Sequence, residues 1–129
     1  MNKPGAPKPT DAELGILRVL WRRGPSTVRQ VWEELSPRHG TGYTTVLKLM
    51  QIMADKGLVR RDESSRSHVY EPSFSEEHTQ RQVVRHLLER VFSGSAPKLV
   101  MQALAAKKAT PRELAEIRRL LDDLEGGAA

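Results

Sequence analysis

Apolar residues recur every three to four positions from residue 14 onward, interrupted at a few Gly, Pro and Ser positions. Thr10-Asp-Ala-Glu13 has the form of a capping box, with Thr10 as N-cap and Glu13 reaching back. Leu14, Leu17 and Trp21, flanked by Ile16 and Leu20, then give one helical apolar face. Gly24-Pro25 ends it. Thr27 can cap a second helix with Val28, Val31, Trp32 and Leu35 on one side, and Ser36-Pro37-Arg38-His39-Gly40 breaks the chain again. A third helix is predicted over 43–56. Val46, Leu49, Met50 and Met53 would face a core, and Thr44, Lys48, Gln51 and Asp55 would share the solvent side. Gly57 is placed to end it.

The period then changes. Leu58-Val59-Arg60-Arg61 and His68-Val69-Tyr70 have the composition of strands, Asp62–Ser67 is a charged tip, and Pro72 closes the hairpin. Helical spacing returns after Ser75. Val83, Leu87 and Val91 form one row, and Val84, Leu88 and Phe92 a second, up to Ser93-Gly94. Leu99, Val100, Ala103 and Leu104 mark a short helix. Thr110-Pro111-Arg112-Glu113 starts the last one, which carries Leu114, Ile117, Leu120, Leu121 and Leu124.

Three short helices followed by a hairpin is the order of a winged helix-turn-helix. In that fold the third helix enters the DNA major groove and the wing lies along the backbone. The predicted fold class is therefore mainly α with a small β-hairpin wing. Its predicted parts are a disordered arm (1–9), a winged-helix domain (10–73), a helical dimerisation domain (74–125) and a tail (126–129). Short polar side chains at the start of the third helix can reach phosphates and base edges, and the helix N-terminus adds partial positive charge. The candidate DNA contacts are Thr41, Tyr43, Thr44, Thr45 and Lys48, with Arg60, Arg66 and His68 from the wing. Arg60 and Arg61 must face opposite ways, because strand side chains alternate. Trp21 and Trp32 sit on apolar faces and are read as core residues.

Composition supports this picture and excludes others. The chain has 129 residues, 38% hydrophobic and 29% charged, enough for one domain with an appendage. A core this small leaves much apolar surface uncovered, so a second subunit is expected. The candidate dimer contacts are Val84, Leu87, Leu88, Val91, Leu99, Val100, Leu104, Leu114, Ile117 and Leu121. The net charge is +5, and residues 1–72 carry most of it, with 12 Lys/Arg against 8 Asp/Glu. That points to a polyanionic partner for the first part. There is no cysteine, which removes disulfides and thiolate chemistry and agrees with a reducing, cytoplasmic setting. No apolar run approaches the roughly 20 residues of a membrane span. His78 and His86 stand two helical turns apart, too far for one metal ion within a subunit. The acidic pairs Glu33-Glu34 and Asp122-Asp123 do not converge, and no nucleotide-binding or nucleophile motif is present. No metal, cofactor or catalytic site is expected.

The stretches "TDAELGILRVLWRRGPSTVRQVWEEL" (10–35), "GYTTVLKLMQIMADKGLV" (42–59), "SHVYEP" (67–72), "RQVVRHLLERVFSGSAPKLV" (81–100) and "TPRELAEIRRLLDDL" (110–124) resemble the penicillinase repressor family of BlaI-, MecI- and CopY-type regulators. The resemblance implies a homodimeric winged-helix repressor at operators with dyad symmetry. It matches Thr44, Thr45 and Lys48 to the recognition helix and Arg66 to the wing tip. It also implies a membrane sensor protease as a further partner, although the family's Asn-Phe cleavage pair reads Gln102-Ala103 here. The copper-sensing branch ends in a cysteine cluster that this chain lacks. Where the family often has an arginine late in the recognition helix, this chain has Ile52. Two other readings share the same elements: a ligand-gated winged-helix regulator and a winged-helix protein-interaction module.

Overall fold

The computed structural model describes residues 8–127, with the side chains of residues 38 and 39 also left undescribed. Most of the expected N-terminal arm and the last two residues of the tail lie outside that range. Pro9, expected in the arm, is buried, and the last helix runs through Gly127, into the expected tail. The element order is α1 (Asp11–Arg23), β1 (Ser26–Thr27), α2 (Val28–His39), α3 (Tyr43–Lys56), β2 (Val59–Asp62), β3 (Val69–Pro72), α4 (Glu76–Arg90), α5 (Ala96–Ala106) and α6 (Pro111–Gly127). The chain forms two compact units, Met1–Val84 and Arg85–Ala129. The boundary expected at 73/74 is therefore not a break in packing, because the first part of α4 belongs with the winged helix. Trp21 donates its indole N–H to the Phe74 carbonyl at 3.0 Å, Phe74 stacks on His78 at 4.9 Å, and Thr79 is buried.

The helix starts are dictated locally. At Thr10 the hydroxyl accepts the Glu13 N–H (3.2 Å) and Glu13 Oε1 accepts the Thr10 N–H (2.9 Å), so two orphan donors are satisfied. Thr27 and Gln30 repeat this at α2, and Thr110 and Glu113 at α6. α2 runs three residues past Ser36, through Pro37, so that proline does not break the chain as the sequence suggests. The helix stops instead at Gly40, which is left-handed and whose N–H reaches the Ser36 carbonyl.

The core of the first unit joins Ile16, Leu17, Val19 and Leu20 of α1 to Val28 and Val31 of α2. Val46, Met50 and Met53 of α3 and Leu58, Val59 and Tyr70 of the hairpin complete it. Leu49, expected beside these, is half-buried. Trp21 and Trp32 pack against the cluster, as expected of core residues.

The wing is a three-stranded antiparallel sheet in the order β1-β3-β2, with β3 central. Val59 pairs with Pro72, Arg60 with Glu71, Arg61 with Tyr70 and Asp62 with Val69. Both hairpin strands sit slightly further along the chain than their composition suggests. Ser26 and Thr27 pair with Tyr70 and Val69, making an edge strand that sequence patterning does not reveal. Two residues are too few to show a period of two. In the second unit, α5 and α6 contain no buried residue.

Candidate nucleic-acid interface

The approach to α3 is fixed from below. Trp32 of α2 donates its indole N–H to the Thr41 carbonyl at 2.9 Å, which anchors the turn before the helix. Tyr43 meets the Trp32 ring edge-on, with centroids 5.9 Å apart. Gly42 is the N-cap and offers no side-chain hydrogen bond. The first-turn N–H groups of α3 are thus left to external acceptors, and the helix dipole favours an anion there. At the other end Gly57 adopts a left-handed φ of 84° and closes the helix by donating its N–H to the Ala54 carbonyl at 3.1 Å.

Of the predicted contact residues, Tyr43, Arg66 and His68 line one groove between α3 and the wing, whereas Thr41 and Thr45 line a separate one with Asp11 of α1 and Leu35 of α2. Tyr43, Thr44, Thr45 and Lys48 are exposed, whereas Thr41 is half-buried and contributes its carbonyl to Trp32. Gln51 and Asp55 continue the exposed row, and Ile52 adds an exposed apolar side chain. Arg66 and His68 are exposed on the wing, and neither they nor Lys48 has an ion-pair partner among the described residues. The strand arginines differ, as pleating requires. Arg60 faces Glu71 across the hairpin at 3.4 Å, while Arg61 bonds Glu63 at 2.7 Å. Hydrogen bonding to Tyr70, and then to Glu63, raises the Arg61 pKa above its usual value. Arg60 is therefore less available to a ligand than Arg66.

Between α2, α3 and the wing runs an open groove of about 410 Å³, lined among others by Thr27, Arg29, Tyr43, Gln51, Arg66 and His68. Among the described residues, no acidic one lines it. Sequence reasoning passed over Arg29. The available signal was its position, two residues after the Thr27 cap, at the start of the helix that precedes the recognition helix.

Among the described residues, no group of three or more His, Asp or Glu side chains is arranged to hold a metal ion. No described helix is long and apolar enough to cross a membrane.

The chain is similar to known proteins. The penicillinase repressor family profile matches residues 9–123. The transcriptional regulator BlaI of Mycobacterium tuberculosis is 34% identical over 119 residues, spanning 91% of this chain and 85% of that one. The penicillinase repressor of Bacillus licheniformis is 23% identical over 117 residues, 91% of each chain. The solution structure of the DNA-binding domain of the repressor BlaI superposes with a TM-score of 0.51 at 26% identity, covering 57% of this chain and 90% of that domain. Monomeric Bacillus licheniformis BlaI in complex with the blaP half-operator gives 0.50, also at 26% identity, over 57% of this chain and 89% of that one. With that profile spanning both units and a curated relative alike over nine-tenths of the length, this chain belongs to the penicillinase repressor family.

Proposed function

We propose that this chain is a DNA-binding transcriptional repressor that acts as a homodimer on an operator with dyad symmetry. One observation carries the reading: the N-terminus of α3 is bare, its Thr44–Lys48–Gln51 row is exposed, and Gln51 shares with Arg66 of the wing a groove with no acid among its described lining residues. A protein-binding face would present apolar anchors there. The half-operator complex of a relative supports the same partner. α3 enters the major groove, the wing follows the backbone, and the two copies read half-sites about 34 Å apart or a multiple of that. Repression follows from steric exclusion of polymerase.

The exposed apolar side chains of the second unit, among them Val91, Val100 and Leu121, supply the dimer contact. A membrane sensor protease is the partner proposed to end repression. The family's cleavage position falls at Gln102-Ala103, within α5, so cutting there requires that helix to open.

The test is a mobility shift of the purified protein on its own upstream promoter DNA, at two salt concentrations, with an unrelated duplex as competitor. Binding that resists the competitor and weakens with salt is expected. With about 4 phosphates neutralised per subunit, the slope of log K against log[salt] should be roughly −7. A flat salt response would overturn the phosphate assignments.

A further inference from the structure

We infer that Arg29 is a phosphate-gripping residue, which works with Arg66 to hold one DNA strand between α2 and the wing. The inference rests on the DNA-binding reading above and extends it to an element outside the recognition helix and the wing.

The groove beside α3 is lined by the start of α2, by α3 and by the wing. α2 contributes Arg29, α3 contributes Tyr43 and Gln51, and the wing contributes Arg66 and His68. A sugar-phosphate strand lying in it would meet one guanidinium from α2 and one from the wing. Arg29 is also held in place before any ligand arrives. Its guanidinium sits 5.8 Å from the centroid of the Trp32 ring, and Trp32 is itself fixed by the Thr41 carbonyl. The same indole is touched edge-on by Tyr43, so the grip and the start of α3 share one support. Planar guanidinium forks suit phosphate better than an ammonium does.

In the free protein Arg29 is paired with Glu33, one helical turn away, at 3.4 Å. Both side chains are largely exposed, 70% and 56%, so this pair is weak and exchangeable. On binding, Arg29 trades Glu33 for a phosphate. Glu33 is thus a brake on affinity that acts through Arg29. That assignment separates it from a general repulsion between any surface acid and DNA.

The experiment is a double-mutant cycle on the full-length protein, with operator and unrelated duplexes and several salt concentrations. Arg29→Ala should weaken both duplexes about tenfold and make the salt slope shallower by about 0.9 per subunit. Arg29→Lys should recover the slope. Glu33→Gln should tighten binding by about threefold, and should lose most of that gain when Arg29 is already Ala. Circular dichroism checks that each variant is folded. Equal gains from Glu33→Gln in both backgrounds would overturn the exchange. If Lys48→Ala and Arg66→Ala weaken binding while Arg29→Ala changes neither affinity nor slope, the grip is wrong and the repressor reading stands. If the unmutated protein binds no duplex, both fall.

Discussion

Glu13 shows how much a single side chain can carry. It is 2% exposed, serves the Thr10 cap, and takes both of its ion-pair contacts from Lys56 at 2.8 and 2.9 Å. The start of α1 is thereby tied to the end of α3. Burial pushes this carboxyl up, but Lys56 and the Thr10 N–H together outweigh it and hold the pKa below the ordinary 4.5. A depressed carboxylate stabilises the fold above the unfolded value, and that contribution is lost as pH falls through the lower folded one. Urea denaturation between pH 3 and 7 should show this loss below about 4.5. Glu13→Gln should cost about 1–3 kcal/mol at pH 7 and flatten the acid limb. An unchanged acid limb would show that another group sets it. The capping box was legible from four residues. The Lys56 partner was not, because nothing local links positions 43 residues apart. By the same logic Lys48 and Arg66 were readable as candidates from their place on a face and a tip. The pairing of Arg60 with Glu71 needed the strand register.

Among the elements, α3 was the most readable. Its limits, its core row and its outer row all follow from period and from glycines at either end. Gly57 gives a clean test: φ is +84° and a Cβ there would meet nothing within 4 Å, so the cost of a side chain is purely conformational. Gly57→Ala should lower stability by about 1–2 kcal/mol in thermal or urea melts, with no packing change. An unchanged melt would mean that the turn into β2 relaxes. The Trp32 hydrogen bond matters differently. Trp32→Phe keeps most of the packing but frees the Thr41 carbonyl, so operator affinity should fall more than the roughly 1 kcal/mol of stability lost. Matched losses would make Trp32 a core residue and nothing more. What the sequence hid at this scale was cooperative. β1 exists because β3 offers it an unpaired edge, and α2 tolerates Pro37 because Gly40, not the proline, sets its end.

At the scale of the whole molecule the two units differ in kind. The first buries a core from five of its elements. In α5 and α6 no residue is buried, and Met101, Leu120 and Leu124 are 69%, 57% and 63% exposed. Apolar faces of that kind need a cover. If the proposed dimer forms through them, Leu121→Asp should raise its dissociation constant at least about a hundredfold in sedimentation, while leaving the melt of the first unit unchanged. A dimer that survived would place the contact elsewhere. The helical spacing foretold these faces. It could not say which neighbour covers them, because periodicity describes one chain at a time.

The two indoles give the protein a built-in readout. Trp21 and Trp32 are its only tryptophans, and each donates to a backbone carbonyl at a different junction, Phe74 before α4 and Thr41 before α3. Indole emission follows the polarity and hydrogen bonding around the ring, so the two should report separately. A Trp21→Phe variant leaves a lamp at the start of α3, and its spectrum should move when a duplex arrives if that helix is the proposed DNA contact. A Trp32→Phe variant leaves one at the base of α4, where light would change only if binding is felt beyond the first unit's groove.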